Sequence, residues 1–175
     1  MIIKEKFEIS NRKEIKKLIE EIAFENHPLV QKGFSTYNRF IDYQSYKVFD
    51  DIVLNFLKLA GENYNILEFW INVYQKNGYV KKHNHITTRE KLKNVEMKAG
   101  VYYFQKPENS GNIIVSDKLI EVNEEDMIVF NANEDHCTEK NMSDNDRIIF
   151  SVNMGKGIKK YWNNNIKDYD FEFVE

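Results

Sequence analysis

Phe69-Trp70-Ile71-Asn72-Val73-Tyr74 reads as a β-strand and leads into His83-Asn84-His85. Aromatic and β-branched residues dominate the run, as a pleated, half-buried surface prefers. In extended backbone, residues i and i+2 point to the same face with Cα atoms about 7 Å apart. The His-x-His pair can therefore converge on one metal ion. The chain has only 4 histidines. A third, His136, follows another strand-like run, and Arg147 lies beyond it. Two near ligands, one distant ligand and a downstream arginine point to a metal site beside an anion pocket.

Around this centre the chain changes texture. Residues 11–24 read as an amphipathic helix, with Ile15, Leu18, Ile19 and Ile22 at helical spacing and Asn11 and Glu14 placed as in a capping box. His27-Pro28 should end it. A second helix is predicted from Tyr46 to Leu59, with Gly61 as its C-cap. After Gly61 the signals are strands: Tyr64–Tyr74, Gly100–Phe104, Gly111–Val115, Leu119–Val122, Asp126–Phe130 and Arg147–Val152. Short strands separated by Asn, Asp, Gly and Ser predict an antiparallel sandwich or barrel. The fold class is mainly β with N-terminal helices. Residues 86–98 are polar and charged, and read as a loop or short helix inserted after the histidine pair.

Composition narrows the classes. At 175 residues one domain is expected. Hydrophobic residues at 42% and aromatics at 14% exclude a disordered chain. A net charge of −3 with interspersed signs gives no reason to expect nucleic acid as a partner. Cys137 is the only cysteine, so neither an internal disulfide nor a cysteine zinc ribbon can form. Charges fill the first residues, and no apolar run reaches membrane-spanning length, so a cytoplasmic protein without membrane association is expected.

Each candidate has a plainer reading. His83 and His85 can be solvated loop residues, since Lys81, Lys82 and Asn84 flank them. His136 can be a surface histidine in an acidic loop, and Arg147 can pair with Asp144 or Asp146. What favours a site is the combination. Imidazole suits iron, zinc, copper and nickel. Arg147, Ser151 and Asn153 share one strand face, and an arginine aimed into a barrel needs an anionic partner. Asn72 and Tyr74 share a face of the strand leading to the site. Cys137, next to His136, should point the other way and be structural.

Trp70-Ile71-Asn72, His83-Asn84-His85, Ala99-Gly100-Val101-Tyr102-Tyr103, His136 and Arg147-Ile148-Ile149-Phe150-Ser151-Val152-Asn153 occur in an order that resembles the iron(II)- and 2-oxoglutarate-dependent oxygenases. The likeness is greatest to a small subgroup frequent in phages and marine bacteria. It covers residues 64–155. The resemblance implies a double-stranded β-helix, a jelly roll like that of the cupins. The chain itself reads as a single domain with a helical layer over residues 1–61, a barrel core over 62–155 and a packing segment over 156–175. The resemblance implies Fe(II) on His83, His85 and His136, with Zn or Ni as substitutes. It implies 2-oxoglutarate as cosubstrate, its far carboxylate on Arg147, with Ser151, Tyr102 and Asn72 assisting. The activity implied is a hydroxylase acting on a small molecule or a protein.

The sequence departs from that family at His85, where most members carry Asp or Glu. Three neutral ligands leave the site one negative charge short. Asp135 or another carboxylate could ligate instead. Ala99 stands where the subgroup often has Ser. A cupin-like three-histidine metalloprotein without 2-oxoglutarate, and a non-catalytic barrel, are the rival readings. Tyr161, Trp162, Tyr169, Phe171 and Phe173 are too aromatic for a free tail. They are expected to pack on the N-terminal helices or on a second subunit, as in a homodimer.

Overall fold

The strand at 69–74 proves to be the middle of a longer one. In the computed structural model, which describes residues 1–37, 46–87, 92–165 and 168–174, the order is β1 (Ile3–Lys6), α1 (Arg12–Glu21), β2 (Val30–Ser35), α2 (Asp50–Ala60) and β3 (Tyr64–Val80). Then follow β4 (Met97–Gln105), β5 (Ile113–Val115), β6 (Lys118–Ile120), β7 (Asp126–Asn131), β8 (His136–Thr138), β9 (Arg147–Lys156), β10 (Ile158–Asn163) and β11 (Asp168–Phe173).

The large sheet runs β1-β7-β4-β9-β3-β2, and the small one β6-β5-β8. Every pairing is antiparallel. A bridge between His83 and His136 adds the chain after β3 to the edge of the small sheet. The segment at His83 thus crosses from one sheet to the other. From β3 to β9 the chain passes back and forth between two facing sheets, which makes the double-stranded β-helix.

Alternation along the central strands separates two cores. Phe69, Ile71, Tyr102, Phe104, Phe150 and Val152 face α1 and α2, where they meet Ile15, Ile19, Phe49, Ile52 and Phe56. Each large apolar side chain buried there contributes roughly 1.5–3 kcal/mol. The other face carries Tyr74, Val101, Tyr103, Ile128, Phe130 and Ile149, packed with Ile113 and Val115 of the small sheet. Gly100 allows α2 to lie close: a Cβ there would come within 2.6 Å of the Phe56 ring and 2.9 Å of Val152.

The helices depart from expectation at their ends. Asn11 occupies the N-cap position of α1, but its amide donates to the Val48 carbonyl at 2.8 Å and makes no cap. A tertiary contact therefore takes the place of the capping box. The helix stops at Ile22, which is extended, well before Pro28. The second helix begins with a 3-10 turn, Lys47–Phe49, and ends at Gly61 with φ of 98°, as a C-cap glycine does. Strands β1, β2, β10 and β11 carry no clear signal in the sequence. The final segment is a β10–β11 hairpin in which Phe171 packs with Leu67, Leu92 and Ile158, not on α1 or α2. The insertion at 86–98 contributes Leu92 to that cluster and its last residues to β4; residues 88–91 lie outside the described set, as does the Trp162 side chain. Among the described residues no helix is long and apolar enough to cross a membrane.

Candidate metal centre and anion pocket

His83 and His136 face each other across the bridge, with backbone hydrogen bonds of 3.0 and 2.8 Å in the two directions. That pairing brings the histidine pair against a residue far along the chain. The ligand nitrogens of His83, His85 and His136 all lie within 4.8 Å of one another. The Nε2 atoms of His85 and His136 are 3.2 Å apart. Two ligands about 2.0–2.1 Å from one metal ion stand roughly 3.0–3.4 Å apart, so this pair already has ligand spacing.

Hydrogen bonds on the far side of two rings set their tautomers. His83 Nδ1 meets the Lys81 carbonyl at 2.7 Å, and His136 Nδ1 meets the Glu134 carbonyl at 3.1 Å. A carbonyl only accepts, so each Nδ1 carries the proton and each Nε2 keeps its lone pair for a metal. Burial lowers the pKa of all three rings, His85 most strongly, and pushes His136 down to about 4. His136 lowers His85 further, and His83 lowers both of the others by like-charge repulsion. Three neutral imidazoles are what a metal requires.

No carboxylate joins them among the described residues. Asp135 accepts from the Asn84 amide at 2.8 Å and is not in the cluster, so the alternative of Asp135 as a ligand falls. Cys137 alternates with His136 and Thr138 along β8 and pairs with Ile114.

Below the histidines lies Arg147, fully buried. Neither Asp144 nor Asp146 pairs with it. Nη1 donates to the carbonyls of Ser110 and Glu139, and Nη2 donates to Thr138 Oγ1 at 2.9 Å. The guanidinium lies 4.5 Å from the centre of the Tyr74 ring. Arg147 Nε, Tyr74 OH, Tyr103 OH and Ser110 Oγ are buried without a hydrogen-bond partner. Three of five guanidinium N–H groups are thus used, leaving Nε–H and one on Nη2, the donor pair a carboxylate accepts. Thr138 is two residues from His136, so the anion pocket lies one strand step, about 7 Å, from a metal ligand.

Of the residues singled out in the sequence, Asn72 and Ser151 line the same cavity as the three histidines, a space of about 460 Å³. Two expectations are corrected. Tyr102 faces the helices: its hydroxyl donates to the Phe7 carbonyl at 3.1 Å. Its neighbour Tyr103 takes the inward place, because parity along β4 puts Val101 and Tyr103 on the site face. Ser151 stands opposite Trp70, two strand steps or roughly 13 Å from Arg147, too far to share a carboxylate with it. Asn72 lies between, opposite Ile149. Sequence reading missed Tyr103, Ser110 and Thr138. Thr138 was open to discovery, being i+2 from His136 on the same strand face.

No protein-family model matches the sequence, and no curated protein is significantly similar to it in sequence. The fold does match solved structures. HygX from Streptomyces hygroscopicus, crystallised with nickel and 2-oxoglutarate, aligns over 99% of this chain and 94% of its own, at 13% identity and TM-score 0.67. A Pseudomonas putida prolyl-4-hydroxylase aligns over 89% and 91%, at 12% identity and TM-score 0.63. The 2-oxoglutarate-dependent carbocyclase SnoK of nogalamycin biosynthesis aligns over 99% and 92%, at 11% identity and TM-score 0.66. The fold of this chain is that of the 2-oxoglutarate/Fe(II) oxygenases.

Proposed function

We propose that the chain is a 2-oxoglutarate- and Fe(II)-dependent oxygenase, with hydroxylation as its reaction. One observation carries this reading: a three-histidine cluster and a buried arginine with an unpartnered Nε stand about one strand step apart in the barrel. A keto diacid has one end for each. His83, His85 and His136 would hold the metal and the keto-acid end. Arg147 would bind the far carboxylate, with the Tyr74 and Tyr103 hydroxyls as further donors. Bound iron(II) would supply activation of O2, with 2-oxoglutarate leaving as succinate and CO2 and the second oxygen atom passing to substrate.

The residues then divide the labour. The Lys81 and Glu134 carbonyls hold two imidazoles in the metal-binding tautomer. Burial of the three rings keeps protons off them. The apolar walls, Val80, Val101 and Ile149, exclude water and strengthen the charge–charge contact with Arg147. HygX is described with iron in one crystal and nickel in another, and imidazole nitrogens such as those of His83, His85 and His136 suit both metals.

The test is succinate formation. Purified protein with Fe(II), 2-oxoglutarate and O2 should release succinate slowly even without substrate, and none after chelation or under nitrogen. A second reading, a cupin-like metalloprotein that takes no 2-oxoglutarate, is favoured by the three acceptors already on Arg147 and by the lack of a carboxylate ligand among the described residues. Stoichiometric metal without any succinate would select it.

A further inference from the structure

The two central strands carry a charge gradient along the face that bears the site. Their paired residues on the site face are Arg147 with Tyr74, Ile149 with Asn72, Ser151 with Trp70, and Asn153 with Glu68. Arg147 is fully buried at one end, and Glu68 is half-exposed at the other. The ends are roughly 20 Å apart. The Trp70 ring lies 5.6 Å from that of His85, so Glu68 stands one strand step beyond the metal centre, on the outer side.

Glu68 is the one formally charged side chain among the described residues lining this cavity. Its hydrogen-bond partner is Asn153, whose Nδ2 donates to Oε2 at 2.5 Å; no cation pairs with it among the described residues. That bond fixes the amide orientation, since a carboxylate accepts only from the NH2 side. Asn153 is 3% exposed, and its Oδ1 is buried without a partner. Asn72 Oδ1, further in, is likewise buried and unpartnered. The outer cavity thus presents a negative charge, with two unmet amide acceptors in the residues that line it. Trp70 and Tyr37, in edge contact at 5.1 Å, supply aromatic wall beside them. A ligand matched to such a surface is rich in N–H donors and positively charged.

We propose that the outer end of the cavity is a subsite for an alkylammonium or guanidinium group, held by Glu68 and Asn153 against Trp70. It rests on the oxygenase reading only in making the bound amine a substrate. The cation would be fixed at Glu68, and the carbon chain would run inward past Trp70 to the histidines. Oxidation would then fall on a carbon removed from the nitrogen by several bonds. An acidic or neutral lipid-like substrate would leave Glu68 and Asn153 Oδ1 desolvated without partners.

The test compares two probes of equal length, 1,6-diaminohexane and 1,6-hexanediol. Each is titrated calorimetrically into the zinc-loaded protein. The diamine should bind at least tenfold tighter than the diol, and salt should weaken the diamine. Glu68→Gln should bring diamine and diol within about twofold, with zinc binding retained as evidence of folding. Nα-acetyl-lysine methylamide distinguishes the sources: binding equal to the diamine points to a lysine side chain on a polypeptide, and weaker binding to a free amine. Equal binding of diol and diamine, no binding of either probe, or full diamine affinity in Glu68→Gln would each overturn the proposal. Succinate formation is scored separately, so an amine site without 2-oxoglutarate turnover sinks the oxygenase and leaves the subsite standing.

Discussion

His85 Nε2 and His136 Nε2 lie 3.2 Å apart, although 51 positions separate them in the chain. Two imidazole nitrogens at that distance either share one proton or hold one metal ion. The protein should bind one equivalent of Zn(II), Ni(II) or Fe(II), and His136→Ala and His85→Ala should each abolish stoichiometric binding. Because three neutral ligands lack a compensating charge, His85→Asp should tighten Fe(II) relative to wild type. Metal content after dialysis measures both, and unchanged metal in His136→Ala would remove the centre.

Acid should weaken the metal-free fold in a defined window. Burial holds the folded pKa of His136 at about 4, below the unfolded value of about 6.5. Between those values the unfolded chain binds a proton that the folded chain does not. Stability is therefore complete above pH about 6.5 and declines as pH falls toward 4. For this one group the loss is on the order of 3 kcal/mol. Urea midpoints of chelated protein should fall across that window, and less steeply in His136→Gln. A flat profile in the parent would contradict the burial argument.

Tyr74 and Tyr103 carry buried hydroxyls without partners. An orphaned hydroxyl costs stability, so Tyr103→Phe should leave the ligand-free melting temperature unchanged or raise it. The same change should weaken 2-oxoglutarate. Lower stability with unaltered 2-oxoglutarate affinity would show that the hydroxyl serves the fold alone.

Gly100→Ala should destabilise by about 1–3 kcal/mol, because the added methyl meets the Phe56 ring and Val152 on the helix-facing side. The histidines lie on the other face, so the folded variant should still take up one metal ion. Thermal unfolding and metal content are the two readings.

The barrel was legible in the sequence because the middle of its central strands keeps period two. Trp70, Asn72 and Tyr74 fall on one face of β3, and Phe69 and Ile71 on the other, as period two requires. The same parity should have assigned Tyr103, not Tyr102, to the inner face of the barrel; the adjacent tyrosines hid the phase. The histidine triad was legible because His83 and His85 are i and i+2. Ser110 was not, because a long loop delivers its carbonyl to Arg147 and no local pattern records that contact. Glu68 was equally hidden. A bulge between Ile66 and Glu68 shifts the register there, and only the pairing with Asn153 shows which way it faces. Asn11 reads as a cap but bonds across to Val48, a tertiary choice that propensity does not foresee.

The central claim is that metal and keto diacid share one cavity, joined through Arg147. Calorimetric titration of 2-oxoglutarate into the zinc-loaded protein tests it directly. One equivalent should bind. Chelated protein should bind far more weakly, and Arg147→Lys, which keeps the charge but loses the paired N–H donors, should bind thirty-fold or more weakly, a cost of about 2 kcal/mol. Metal content of the variant should match the parent. A zinc-loaded parent that takes up no 2-oxoglutarate, or an Arg147→Lys protein that binds it as tightly as the parent, would contradict the account.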